Sequence, residues 1–270
     1  MRGKLDGRVA IVTGTSPNIG GGLAAALAAA GATIVAVDAN EANARDCAKD
    51  IAAAGGRALG LACDVTDEGQ VAKVVATVCE RFGYVDVLVN NAATFNRKGL
   101  LTTSLAEWRK QCAVMLDGAF LFSRHAAERM VERKRGVIIN IISTAGHQGE
   151  PGNIAYSTCK SALLNFTRAA AMDLSPHGVR VVSLTPTATA FDEMRVRAER
   201  WGHALDLPPN LDELMQPFVR GIPLGRLPRP SDYGAAAVFL ASDDAAMITG
   251  TDLRVDAGAV GRYWAWTPGA

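Results

Sequence analysis

Residues 9–20 read Val-Ala-Ile-Val-Thr-Gly-Thr-Ser-Pro-Asn-Ile-Gly. The apolar run Val9–Val12 has the character of a strand buried on both faces. It enters a turn at Gly14, and a helical stretch, Ile19–Ala30, follows directly. Strand, glycine turn and helix N-terminus in that order form an anion site. The first N–H groups of the helix have no intrahelical acceptor, the helix dipole favours negative charge, and small residues let the backbone come close. The turn Gly14-Thr15-Ser16-Pro17-Asn18-Ile19-Gly20 is therefore a candidate pyrophosphate site. A glycine turn alone is a weak signal; its setting between strand and helix gives it weight.

Outward from this segment the alternation repeats. Apolar runs at Thr33–Val37, Val87–Val89, Val137–Ile142 and Val179–Leu184, a weaker one at Ala58–Cys63, and a last near Asp252–Val255 predict strands. Between them, Glu41–Ala54, Glu68–Phe82, Leu105–Arg133, Ala155–Ser175 and Asp232–Ala241 predict helices. Gly31 and Gly55 fall at C-terminal caps, and Thr66 or Asp67 at an N-cap. The expected fold class is α/β: a single-domain Rossmann fold over residues 1–270, with a doubly wound parallel sheet of about seven strands flanked by helices. Residues 186–230 interrupt the alternation and are rich in Pro, Arg, Glu and Leu. A long, partly helical insertion after a strand is expected to be a substrate lid. Its apolar residues Trp201, Leu205, Leu207, Leu211, Leu214, Met215 and Phe218 either line a hydrophobic pocket or pack the insertion onto the domain. Residues 259–270 form a C-terminal tail whose Tyr263, Trp264 and Trp266 are expected to pack on a neighbouring surface.

The chain of 270 residues is 49% hydrophobic and 20% charged, with a formal net charge of +1. That is enough to bury a large core. It leaves no basic field for nucleic acid or an anionic membrane. Cys47, Cys63, Cys79, Cys112 and Cys159 are dispersed, with no CxxC pair and no metal-ligand rhythm with the histidines. Reduced thiols and no metal are expected. His125 and His147 read as surface or supporting residues. No stretch approaches the roughly 18 apolar residues of a membrane span, and MRGKLDGRVAIVTG has no long apolar segment. The expectation is a cytoplasmic chain.

The second strand ends at Asp38. An acid there accepts hydrogen bonds from the ribose hydroxyls of NAD and repels the 2′-phosphate of NADP. No Arg or Lys in the turn or just after Asp38 reverses that preference, so NAD is expected over NADP.

Ser143 follows the Val137–Ile142 run, Tyr156 comes later, and Lys160 stands four positions after Tyr156. A helix starting near Ala155 puts Tyr156 and Lys160 one turn apart on one face. Ser143 lies at the carboxyl edge of the sheet, where doubly wound folds bind ligands. A phenol titrates near 10, and a nearby ammonium favours its phenolate. Tyr156 is thus the expected acid/base, Ser143 the donor to a substrate oxygen, and Lys160 the ammonium that also holds a nicotinamide ribose. Cys159, beside Lys160, should face away from the site and pack on the sheet or an oligomer interface.

From about Leu5 to Gly258 the chain resembles the short-chain dehydrogenase/reductase family. The matching pieces are VTGTSPNIG, CDVTD at 63–67, NNAA at 90–93, IIS…YSTCK, the stretch before Pro186, and IPLGRL…FLASDDAAMITGTDLRVDAG. The resemblance implies hydride transfer between a nicotinamide and an alcohol or ketone carbon. It places Gly14, Asn18, Ile19 and Gly20 along the pyrophosphate, Asp64 and Val65 beside adenine, Asn90 and Ala92 in support of the cofactor, and Pro186 next to nicotinamide. It also implies a homo-oligomer, tetramer or dimer, and a small-molecule substrate, which the apolar insertion tilts towards a hydrophobic alcohol or ketone.

The chain departs from the family's pattern in places. Asn18 replaces a glycine of the turn, and Asn tolerates a left-handed backbone. NNAG becomes NNAA, with Ala93. Thr187 follows Pro186 where glycine is usual, which leaves Thr189 as the nearest substitute for a later threonine. Met115 stands where the family has an Asn that holds a water in a proton relay to the lysine. Either the relay runs through backbone and water, or the enzyme is slower; Asp117 is not expected to replace the Asn. The alternative reading is a non-catalytic NAD-binding or sensing protein of the same fold. The presence of Ser143, Tyr156 and Lys160 together speaks against it.

Overall fold

A computed structural model describes residues 3–205 and 207–263. Strands β1 (Val9–Thr13), β2 (Thr33–Asp38), β3 (Arg57–Ala62), β4 (Val87–Asn90), β5 (Gly136–Ile141), β6 (Val179–Pro186) and β7 (Asp252–Val255) form one sheet in the order β3-β2-β1-β4-β5-β6-β7. All pairings are parallel, for example Val12 beside Ala36 and Val89. The chain order reverses between β1 and β4. A crevice therefore opens at their carboxyl ends, the usual place for a ligand in such a sheet.

The two faces of the sheet divide the apolar residues by alternation. Ala10 and Val12 pack with α1 (Ile19–Ala29), α2 (Glu41–Ala53) and, further along the chain, α9 (Pro230–Ala241), burying Leu23, Leu27, Ile51, Tyr233 and Leu240. Val9 and Ile11 face α3 (Glu68–Phe82), α5 (Gly118–Glu132) and α6 (Ile154–Leu174), burying Val71, Val78, Phe122 and Met130. Each such side chain contributes about 1.5–3 kcal/mol on leaving water. Asp67 caps α3 by accepting the N–H of Gln70, as the sequence predicts.

Two local differences from expectation bear on the site. Leu105–Arg133 is not one α-helix. It divides into α4 (Leu105–Cys112), a π-turn (Ala113–Asp117) and α5. Hydrophobic period alone cannot reveal one inserted residue, since each flank keeps its own apolar face. Gly118 closes the turn against Val65, whose Cγ2 would lie 2.6 Å from a Cβ at that position. The 186–230 insertion contains α7 (Asp192–Trp201) and α8 (Leu211–Gly221). The aromatic tail residues Trp264 and Trp266 lie outside the described residues, and Tyr263 is 66% exposed.

Candidate active site

The turn after β1 is built so that only glycine fits. Gly14 has φ +69°, and a Cβ there would lie 2.8 Å from the Cα of Ala92. A Cβ on Gly20 would meet the carbonyl oxygen of Gly14 at 2.0 Å. Asn18 has φ −82°, so the left-handed tolerance invoked for it is not used. The first turn of α1 carries no side-chain cap, and among the described residues the N–H groups of Asn18 and Ile19 meet no acceptor. The side-chain oxygen of Asn18 is buried without a partner. The free N–H donors, at a turn where Gly14 and Gly20 leave room for close approach, suit the diphosphate of a dinucleotide.

Asn91, which the sequence reading passed over, pins this turn. Its Nδ2 donates to the carbonyl oxygens of Thr13 at 3.0 Å and Gly14 at 2.8 Å. The Thr13 hydroxyl accepts the N–H groups of Asn91 at 3.0 Å and Ala92 at 3.1 Å. Asn90 points elsewhere: its amide donates to Asn140 at 2.9 Å and Ser123 at 3.0 Å, inside the sheet–helix layer. The alternation of a strand places neighbours on opposite faces, which explains why only one Asn reaches the turn. Ala92 sits against Gly14, and Ala93 is exposed.

Asp38 ends β2, half-buried, and accepts the N–H of Asn40 at 2.9 Å. Burial pushes its carboxyl up, while hydrogen bonds from Asn40 and Asn43 pull it down. Asp64 is exposed and bonds Thr66 through N–H and hydroxyl, at 2.9 and 2.8 Å. Val65 is buried against Gly118.

Ser143, Tyr156 and Lys160 are brought together at the carboxyl ends of β4–β6. Ser143 caps a short 3₁₀ turn, Thr144–Gly146, its Oγ accepting the Ala145 N–H at 3.2 Å. Tyr156 and Lys160 lie in the first two turns of α6. Burial pushes the Tyr156 phenol up, a hydrogen bond with Ser143 pulls it down, and Glu150 pushes it up. The depression expected from Lys160 is not among these effects. Its Nζ lies 5.6 Å from the centroid of the Tyr156 ring and donates to the Ile141 carbonyl oxygen at 2.7 Å. Lys160 is buried, which pushes its ammonium down to about 8. Phe95 meets the Tyr156 ring edge-on at 5.9 Å. A lone exposed Phe in a loop gave no sequence signal.

The remaining expected residues fall around this centre. Pro186 closes β6 beside Val255. Thr189 is buried, and its hydroxyl bonds Tyr233 at 3.1 Å and the Thr187 carbonyl at 3.0 Å, so it is engaged within the fold. Met115 is buried in the π-turn, and Asp117 is exposed. His147 bonds Thr185 at 3.1 Å and lies 3.2 Å from Asp252, tying the segment after Ser143 to β6 and β7. His125 lies near Glu68 and Glu128. Cys159 is fully buried and meets Cys112 of α4, sulfur to sulfur 3.6 Å, rather than the sheet. In the insertion, Leu211 is buried and Trp201 packs on Gly21, while Leu214 and Phe218 remain half exposed. Among the described residues no cluster of His, Cys, Asp and Glu suits a metal ion, and no helix is long and apolar enough to cross a membrane.

The family model described as Enoyl-(Acyl carrier protein) reductase matches residues 14–260. D-threitol dehydrogenase of Mycolicibacterium smegmatis is 36% identical over 255 residues, 94% of each chain. Meso-2,3-butanediol dehydrogenase of Serratia marcescens is 33% identical over 258 residues, 95% of this chain and 96% of its own. A short-chain type dehydrogenase/reductase from Mycobacterium marinum superposes with TM-score 0.83 at 31% identity, covering 94% of this chain and 96% of that one. With the matched family, the near-full-length relatives and the seven-stranded parallel sheet in agreement, this chain belongs to the short-chain dehydrogenase/reductase family of oxidoreductases.

Proposed function

We propose that this chain is an NAD-dependent oxidoreductase that interconverts a secondary alcohol and a ketone, with Tyr156 as the acid/base. The observation behind it is the meeting of Ser143, Tyr156 and Lys160 at the same sheet edge as the glycine turn. Bound nicotinamide supplies or accepts the hydride. Tyr156 gives its proton to the carbonyl oxygen in reduction and takes it back in oxidation. Ser143 donates to the same oxygen and fixes its distance from the phenol. Lys160 holds positive charge behind the phenol and, when a ribose is present, offers its remaining donors to the hydroxyls. Asp38 receives the adenosine ribose and disfavours a 2′-phosphate. The hydrogen bond from Ser143 already opposes the rise that burial causes in Tyr156. Closer approach of the ammonium adds to that effect.

The substrate reading is a small alcohol or ketone with an apolar part, received between Phe95 and the 186–230 insertion acting as lid. The relatives named for threitol and butanediol make vicinal diols the first compounds to try. A cytoplasmic homo-oligomer completes the proposal. Support for self-association comes from a groove of about 660 Å³ between α5 and α6, lined by Phe120, Val131, Phe166, Ala170 and Leu174, with Phe120 half exposed. The test is a panel of diols, aliphatic and cyclic alcohols and their ketones, assayed with NAD(H) and NADP(H) in parallel. Turnover with NAD that falls by ~10²–10⁴ in Tyr156→Phe is expected. Undiminished turnover in that variant, or dinucleotide binding with no turnover anywhere, refutes the catalytic assignment.

A further inference from the structure

Arg197 lies on α7, in the insertion, and is 7% exposed. Its Nη1 donates to the carbonyl oxygens of Pro17 at 2.6 Å and Asn18 at 3.4 Å. Its Nε is buried with no hydrogen-bond partner. Among the described residues no carboxylate comes within ion-pair distance of it, although its neighbours Arg195 and Arg200 each have one. A buried, unpaired cation is costly, so its position needs a reason.

The peptide geometry supplies one. In a trans peptide the C=O of one residue and the N–H of the next point in opposite directions. The chain has no cis peptide among the described residues. By gripping the carbonyls of Pro17 and Asn18, Arg197 turns the N–H groups of Asn18 and Ile19 away from α7. These are the donors that meet no acceptor. The guanidinium also polarises both peptides, which strengthens the donors on their far side. Gly21 admits α7 to this place: a Cβ there would lie 3.0 Å from the Arg197 Cδ and 3.2 Å from the Trp201 ring. Arg200 to Asp50 at 3.1 Å and, two residues past the end of α7, His203 to Asp46 at 3.0 Å hold this segment on α2.

We infer that Arg197 is a positioning residue for the cofactor's diphosphate: from the insertion it orients and polarises the Asn18 and Ile19 donors, so dinucleotide affinity depends on the insertion being seated. This rests on the dinucleotide reading above. The test is equilibrium binding of NADH, ADP and adenosine to the full chain and to Arg197→Met. The variant is expected to bind NADH and ADP about tenfold more weakly, the scale of one charge-assisted hydrogen bond, and adenosine within about twofold. Should that variant lose its cooperative unfolding transition, Arg197→Gln carries the same comparison. Equal losses for adenosine and ADP would mean a merely structural role and overturn the inference. Unchanged NADH and ADP affinity would overturn it too, while leaving the proposed activity intact. A wild-type chain that binds none of the three ligands overturns both readings.

Discussion

The ammonium of Lys160 donates to the carbonyl oxygen of Ile141 at 2.7 Å, joining the second turn of α6 to the last residue of β5. The contact fixes the lysine beneath the Tyr156 ring, and it buries a cation among apolar strands. Stability and chemistry therefore pull on this side chain in opposite directions.

Burial sets the ordinary amine value of 10.5 down to about 8 in Lys160. Between those values the unfolded chain holds a proton that the folded chain has released, so stability rises with pH across that window. Below pH 8 the cost of the buried ammonium is about 3 kcal/mol. Lys160→Met is expected to melt several degrees higher than wild type at pH 7 and to lose most of that advantage by pH 10, with turnover abolished at both. Thermal unfolding of both proteins across pH 6.5–10 checks this. A variant that melts lower than wild type at pH 7 would show the ammonium to be stabilising instead.

Met115 occupies a buried site in the π-turn, where the family has an Asn. An amide placed there needs partners, and an unsatisfied one costs about 1–3 kcal/mol. Lys160 is held by the Ile141 carbonyl and not by Met115, so a relay rerouted through backbone and water gains nothing from an amide at this position. Met115→Asn is accordingly expected to lower the melting temperature and leave kcat unchanged or reduced. A rise in kcat would show that the wild-type relay is impaired rather than rerouted.

The fold was legible because both-sided burial writes itself as near-continuous apolar runs, such as Val9–Val12 and, interrupted by Arg180 and Ser183, Val179–Leu184. Ser143, Tyr156 and Lys160 were legible because chemistry needs those types at fixed spacing. What escaped depends on long-range packing. Asn91 rather than Asn90 holds the turn because strand alternation decides which one faces it. The π-turn leaves the hydrophobic period of its flanks intact. Arg197 reaches Pro17 only because α7 folds back over α1, and no local pattern encodes that return.

Asp38 governs the choice of dinucleotide in this reading. Its carboxylate stands at the end of β2, held by Asn40, with no basic neighbour in its own loop. A 2′-phosphate placed there meets like charge, and a ribose meets an acceptor worth about 1.5–3 kcal/mol. Wild type is expected to favour NAD over NADP in kcat/KM by at least about tenfold, and Asp38→Ser to narrow the ratio mainly through KM. An NADP preference in the wild type would remove Asp38 from this role.

Gly20 offers the sharpest separation between folding and binding. A Cβ there would lie 2.0 Å from the carbonyl oxygen of Gly14 and 2.7 Å from the Asn91 amide, so backbone must move. Gly55, with φ +83° and nothing within 4 Å of a Cβ, is strained by alanine without any clash. Gly55→Ala should therefore cost about 1 kcal/mol, the usual penalty for a left-handed alanine, and keep the full NADH-induced rise in melting temperature. Gly20→Ala should cost more than about 2 kcal/mol and abolish that rise, because the displaced element is the turn that presents the Asn18 and Ile19 donors. Melting curves with and without NADH distinguish the two. Retention of the NADH shift by Gly20→Ala would mean that the dinucleotide does not rest on this turn.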